Sequence, residues 1–494
     1  MRVLQLSIIL LVSAKACDEL TIISDVPLFV TQPYFASWNI DSSRQRSFFD
    51  VDFSSPQLTY LASQIGGSNI RFGGTGNDYL FYEVPAAPPC PPTVPYVNEC
   101  FNISQWNGLK TLATSAQAGL IFGLSVLPFN ASWHPDPYPK PDSDWTWNVT
   151  NAAALLRFAK STNTILWGLE LGNEINAKGF NASQQASALF ALSALLDDIY
   201  GNGADRPVLV GPDASGFHVP LPDPKSVNVI AYMTDYLLQT QTILRAITHH
   251  EYIEIDYKNV LNHSFLDNTR NIAKNVVAAI RAINMTTEIW AGEIGGHNGG
   301  DFPNPNCQSN RVCGKFGSTV WYADAMASVA RVGYAAFQRQ DFLGADYGLL
   351  NYTSFLPSPD YWLLFLWQRL VGSIVLDAHN GKGVPSTRAY AYCQRATHSR
   401  VVLVLLNLDS ADACVALPAD FVVGSNFTQW SLTGGDGGSI ESADILLNDV
   451  VLALDANGRV PSTTDGVSGS GGVATLQPVS VTFIGYESTL TACN

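Results

Sequence analysis

Charge is scarce in this chain. Only 14% of its 494 residues are Asp, Glu, Lys or Arg, against ~25% in an ordinary soluble protein. What charge exists leans acidic, with 27 Lys and Arg against 42 Asp and Glu and a formal net charge of −15. No stretch supplies the basic stripe that phosphate contacts need, which excludes nucleic acid as a partner. Beyond residue 16 nothing approaches the ~20 uninterrupted apolar residues of a membrane helix, so no transmembrane segment is expected. A CxxC pair is missing, and so is a Gly-rich phosphate fingerprint after the first predicted strand; no metal and no cofactor are expected. Disorder is excluded as the main state, because 47% of the residues are apolar and 11% aromatic, enough to bury one large core and one smaller one.

The amino terminus reads as a secretory signal over residues 1–16. Arg2 supplies the positive charge, Leu6 to Val12 the apolar run, and Ala14-Lys15-Ala16 the small-x-small cleavage site. The expected location is therefore extracellular, or a lysosome-like or vacuole-like compartment. Eight cysteines agree with an oxidising environment. Proximity pairs Cys90 with Cys100 and Cys307 with Cys313, leaving Cys17, Cys393, Cys414 and Cys493 for the two ends of the chain. Sequons begin at Asn102, Asn130, Asn148, Asn181, Asn262, Asn284, Asn351 and Asn426, each a glycosylation candidate.

From Tyr34 to about Leu376 short apolar runs alternate with helix-patterned stretches, the rhythm of βα units with parallel strands. Strands are predicted at Tyr34–Ile40, Asn69–Phe72, Gly119–Leu127, Ile165–Leu171, Pro207–Val210, Ala246–His249, Glu288–Ala291 and Tyr334–Phe337. This count fits an α/β fold of the (β/α)₈ TIM-barrel type. Most strands end in a polar group: Asp41, Arg71 with Thr75, Asn130, Glu174, Asp213, His249 with His250, Glu293, and Gln338 with Gln340. A barrel gathers such ends on one face, where its active site lies. After Leu376 short strand-like runs broken by Gly, Ser, Asp and Asn predict a β-sandwich, with Ser462–Val473 as a flexible surface loop. The expected organisation is a strand at 17–33 joining the sandwich, the barrel over 34–376 and the sandwich over 377–494. Bridges Cys17–Cys414 and Cys393–Cys493 would fit that arrangement.

Two segments carry the chemistry. ILWGLELGNEIN is a buried strand running into Asn173-Glu174, and TEIWAGEIGGHNGGD is a second strand ending in Glu293 before a Gly-rich loop. Taken singly, Asn173 and Glu174 could be a helix cap and a dipole-favoured acid. Taken together, they end the fourth and seventh predicted strands and place two carboxylates across one barrel mouth, the arrangement of a retaining glycosidase. One carboxyl must donate a proton to the leaving oxygen while the other attacks the anomeric carbon. Glu174 is assigned as acid/base, Glu293 as nucleophile, and Asn173 as a ligand of the sugar 2-hydroxyl. Arg71 is placed to brace the carboxylates or to pair with a neighbour inside the barrel.

These residues resemble the heparanase family, glycoside hydrolase family 79. The resemblance runs through IRFGGTGNDYLFYE, ELGNEIN, THHEY, AGEIGGHNGG and FQRQDFLGADYGLLNYTSFLPSPDYW. It implies a (β/α)₈ barrel with a β-sandwich that takes an N-terminal strand, and retaining β-glucuronidase activity on a glucuronate-containing glycan or glycoside. It implies that Gly299, Gly300 and Tyr347 hold the glucuronate carboxylate, with Asp41, Thr75 and Gln340 around the same sugar. His249 is expected to line the site and His250 to pack outside the barrel. The chain departs from animal heparanase between Tyr82 and Trp106, where a short Pro-rich stretch leaves no room for an excised linker. A single-chain monomer acting on weakly charged β-glucuronides is expected rather than a heparan sulfate enzyme. The competing readings are a retaining barrel glycosidase for a neutral sugar, of the arabinofuranosidase or xylosidase kind, and a catalytically silent carbohydrate-binding homologue.

Overall fold

The computed structural model describes residues 17–23, 25–42, 50–87, 89–90, 100–126, 141–298, 305–344, 346–380, 387–397, 399–418, 422–462 and 465–494. The predicted signal segment, Asn130, Gly299 and Gly300 lie outside them.

Eight parallel strands close into a barrel in chain order: Ala36–Asp41, Asn69–Gly73, Gly119–Leu124, Leu166–Leu171, Val208–Phe217, Leu244–Tyr252, Glu288–Gly295 and Ala336–Arg339. Each is followed by a helix, from Pro56–Gln64 after the first to Pro359–Leu370 after the eighth. The alternation along each strand sets the layers. In the second strand Ile70 and Phe72 pack into the main apolar core while Asn69 and Arg71 point the other way, into the barrel. A small inner cluster of Ile121, Val210, Ala246, Trp290 and Ala336 fills the barrel interior. Tyr34, Trp167 and Trp290 stack edge-on or tilted with ring centroids 5.2–5.9 Å apart and close its N-terminal end. That floor leaves the opposite rim as the open face.

Apart from a small pair formed by Phe81–Glu83 and Cys100–Asn102, the remaining strands form a sandwich. Asp18–Ile22, Ala378–Asn380, Ala413–Ala416 and Val473–Leu476 make a four-stranded sheet, which lies against a larger sheet built on Thr387–Gln394, Arg400–Asn407, Val422–Gly434 and Ser480–Ser488. Both N-terminal strands are used, since Phe29–Val30 adds to the larger sheet. That sheet is buried on both faces: Val401, Leu403 and Leu405 join the sandwich core, while Val402, Val404 and Leu406 join the barrel core. Strand Val371–Leu376, expected as the end of the barrel, already pairs within the larger sheet. The expected loop Ser462–Val473 contains a strand, Val467–Gly469, that pairs with Phe427–Gln429. All four expected disulfides form: Cys17–Cys414, Cys90–Cys100, Cys307–Cys313 and Cys393–Cys493. Among the described residues no helix is long and apolar enough to cross a membrane.

Candidate active site

Arg71 is the hub of the barrel mouth. It is 1% exposed and its guanidinium reaches Glu170 at 2.7 Å, Glu293 at 2.9 Å, the Asn173 side-chain oxygen at 2.9 Å and Asp213 at 3.0 Å. Burial alone would favour loss of its proton, but Glu170, Asp213 and Glu293 outweigh this and hold it firmly as a cation. Two glycines make room for the fork. A Cβ on Gly73 would lie 2.6 Å from the guanidinium, and one on Gly74, whose φ is +96°, would lie 2.5 Å from the Asp41 carboxylate.

Glu170 and Asp213, both buried beneath this hub, divide their roles. Burial pushes Glu170 well above the usual carboxylate range despite the pull of Arg71. For Asp213 burial acts in the same direction, but Arg71, hydrogen bonds from His250 and Glu170, and the charge of His250 overcome it and hold the group well below that range. Of the two, Asp213 is the one that Arg71 and His250 favour as an anion.

The two predicted catalytic carboxylates stand on this base. Glu174 follows the fourth strand with a left-handed φ of +55°, and its backbone N–H donates to the Asp213 carbonyl at 3.1 Å. Its Oε1 lies 2.9 Å from Nδ1 of His250. Glu293 receives Arg71 on Oε2 and the Tyr252 hydroxyl on Oε1 at 2.5 Å, which fixes the plane of its carboxylate. Ligand atoms of Glu174, His250 and Glu293 all lie within 4.8 Å of one another. Burial disfavours charge on His250, but Glu293, Asp213 and Glu174 around it push its pKa up to about 10. Such a trio has the spacing of metal ligands, and a metal there would have to displace the His250 proton.

Asn173 is held with its amide oxygen turned inward, toward Arg71 and the Gly74 N–H at 3.2 Å. Its amide NH₂ is the end left for a ligand, as expected of a donor to a sugar hydroxyl. Gln340 donates to Asp41 at 2.6 Å, joining the eighth and first strands, and its own oxygen has no protein partner among the described residues. Thr75 opens the short helical turn after Gly74 and is half-buried. Tyr347 is 2% exposed, in the loop after the eighth strand, and packs with Cys307 and Cys313.

One expectation is reversed. His249 points out of the barrel, 2.7 Å from the Tyr334 hydroxyl and edge-on to Phe217, and burial pulls its pKa down to about 3. His250 takes the site position. The signal was in Ile247: a bulky apolar residue facing the outer helices puts His249 on its own side and leaves the inward positions to Ala246, Thr248, His250 and Tyr252. Tyr252 could have been found by the same count. Asp78 and Lys178, which bracket Asn173, come together from distant turns and gave no local signal. Five sequon asparagines already use their side-chain oxygen locally, with Asn102, Asn181 and Asn262 capping helices and Asn148 and Asn351 closing turns.

Residues 36–327 match the family model described as glycosyl hydrolase family 79, N-terminal domain. Heparanase-like protein 3 of Arabidopsis thaliana is 26% identical over 89% of this chain and 85% of its own length. Baicalin-beta-D-glucuronidase of Scutellaria baicalensis is 23% identical over 84% and 80%, and heparanase of Bos taurus 23% identical over 92% and 88%. Among solved structures, a 4-O-alpha-L-rhamnosyl-beta-D-glucuronidase from Fusarium oxysporum superposes with a TM-score of 0.63 at 15% identity, covering 94% of this chain and 99% of the other. An arabinofuranosidase gives 0.64 at 10% identity, covering 95% and 100%, so the likeness to solved structures is one of fold. Because the family model spans more than half of the chain and begins on the first barrel strand, this protein belongs to glycosyl hydrolase family 79.

Proposed function

We propose that the protein is an exported, retaining β-glucuronidase in which Glu293 attacks the anomeric carbon and Glu174 serves as acid and then base. The observation that carries this reading is the closeness of the two carboxylates, one oxygen of each lying within 4.8 Å of the other. An inverting pair stands ~6.5–9.5 Å apart to admit a water, whereas a retaining pair stands ~5–5.5 Å apart. Glu293 is oriented by Tyr252 and Arg71 from both oxygens, as a nucleophile requires. In the first step the Glu293 oxygen bonds to the anomeric carbon as the glycosidic bond breaks, and the Glu174 proton goes to the leaving oxygen. The glycosyl ester on Glu293 removes one negative charge from the cluster while Arg71 and His250 remain. Glu174, having given up its proton in the first step, then takes one from the attacking water.

A glucuronide substrate is supported by the relatives, a baicalin-beta-D-glucuronidase among them, and by the family motifs that contain Tyr347. Export is supported by the amino-terminal pattern and by the absence of free cysteine. Glu293→Gln should abolish turnover of an aryl β-glucuronide, and a fluorinated β-glucuronide inactivator should label Glu293; near-normal rates in that variant would refute the mechanism. An aryl arabinofuranoside or xyloside turned over faster than the glucuronide would refute the substrate class.

A further inference from the structure

We propose that Asp78 and Lys178 form a positioning clamp for the acid/base residue, gripping the peptide units on either side of Asn173 so that Glu174 keeps its proton-donating geometry. The inference rests on the assignment of Glu174 given above. Asp78 sits in the turn after the second barrel strand and Lys178 at the end of the turn after the fourth. Both are buried, with side-chain exposures of 0% and 4%, and their ion pair spans 2.5 Å. The Asp78 carboxylate accepts the Asn173 backbone N–H at 3.0 and 3.2 Å, and the Lys178 ammonium donates to the Asn173 carbonyl at 2.7 Å. The peptide groups before and after Asn173 are thus tied to opposite ends of one ion pair.

The site needs such a device. Glu174 is a non-glycine residue at φ +55°, two residues after Gly172 at φ +78°, and a left-handed conformation is unfavourable for such a residue unless its surroundings impose it. The Glu174 carboxyl itself is tethered only by His250 among the described residues. Its direction is therefore set mainly by the backbone from which it springs. A charged clamp is also more than packing requires, because a buried pair contributes little net stability over an apolar one of equal volume.

The test separates positioning of the acid from general support. The ratio kcat/KM reports the glycosylation step, in which a poor leaving group needs the proton and a nitrophenolate hardly does. In Lys178→Met and Asp78→Asn, kcat/KM for an alkyl β-glucuronide should fall at least about tenfold more than for a nitrophenyl β-glucuronide, a fraction of the ~10²–10⁴ that a general acid supplies. Glu174→Ala serves as the reference and should show the same selectivity, larger. If Glu174→Ala lacks it, the acid assignment fails. If Glu174→Ala shows it while both clamp variants lose equally on the two substrates, the clamp proposal is overturned and the assignment stands. The double variant Asp78→Asn/Lys178→Met leaves no lone buried charge and is read where a single variant does not fold; failure of the double variant to fold would mark the pair as purely structural and overturn the proposal.

Discussion

Removing Arg71 would strip one cation from four acceptors at once. Glu170, Asp213 and Glu293 would be left as buried acids without their counter-charge, and breaking a buried pair in this way costs about 3–5 kcal/mol. Arg71→Met should therefore lower the melting temperature as well as abolish turnover. Arg71→Lys keeps the charge but cannot fork to Glu170, Glu293, Asn173 and Asp213 together. It should fold and lose on the order of 10²-fold in kcat/KM, the scale set by a misplaced catalytic group; a loss of stability as large as that of Arg71→Met would show that the fork, not the charge, is what holds the cluster. The histidine pair offers a sharper contrast. His250→Gln replaces the charged donor to Glu174 by a neutral amide and should cost roughly 10²–10³ in kcat, as loss of one charged donor at a reacting centre does. His249→Phe should alter thermal stability through Tyr334 and Phe217 while leaving kcat/KM unchanged. At this scale the sequence displayed the two glutamates and Asn173, because each ends a recognisable apolar strand. Which histidine faces inward was harder to see, since it depends on the phase of a strand whose inner and outer faces are both buried, and only Ile247 marks that phase.

The sixth barrel strand carries a second consequence of that alternation. Glu251, between His250 and Tyr252, faces outward and is 1% exposed, with Thr269 of helix His263–Ala282 as its polar neighbour. Burial pushes its pKa from 4.5 up to about 8. In the unfolded chain this group loses its proton near pH 4.5, whereas in the fold it keeps it until about pH 8. Between those values the native state binds more protons than the unfolded one, so stability falls as pH rises. At pH 7 the cost is about 3 kcal/mol. Glu251→Gln should raise the melting temperature at pH 7, change it little at pH 4.5, and flatten the profile between them; a parallel shift at both pH values would refute the linkage. Elements were legible wherever one face was polar or an apolar run had clear ends, which covers all eight barrel strands. Thr387–Gln394 was not foreseen because Arg388, Tyr390 and Tyr392 face the barrel side while Ala389, Ala391 and Cys393 face the sandwich core. Its alternation is large against small, not apolar against polar.

Barrel and sandwich share one apolar core in this protein. The larger sheet gives Tyr390, Tyr392, Val402, Val404, Val481 and Phe483 to the barrel core, and Arg388 pairs with Asp324 and Asp267 on the barrel helices at 2.5 and 2.9 Å. The Cys17–Cys414 bridge, 397 residues apart in sequence, ties the N-terminal strand to the small sheet. Unfolding should be a single calorimetric transition, and Cys17→Ser/Cys414→Ser should lower stability by about 2–5 kcal/mol; two separate transitions in the unaltered protein would refute the shared core. The same whole carries the net charge of −15. A basic heparan-binding surface loses affinity as salt rises, because bound counterions must be displaced. Here the long-range term has the opposite sign, and added salt screens repulsion beyond about 10 Å at 0.1 M. For a sulfated glucuronate-containing oligosaccharide, KM should therefore fall as salt is raised from low ionic strength to 0.1 M. For a small aryl β-glucuronide with one charge the change should be slight. A KM for the sulfated substrate that rises with salt would locate a basic binding surface on this acidic protein and return heparan-type chains to consideration.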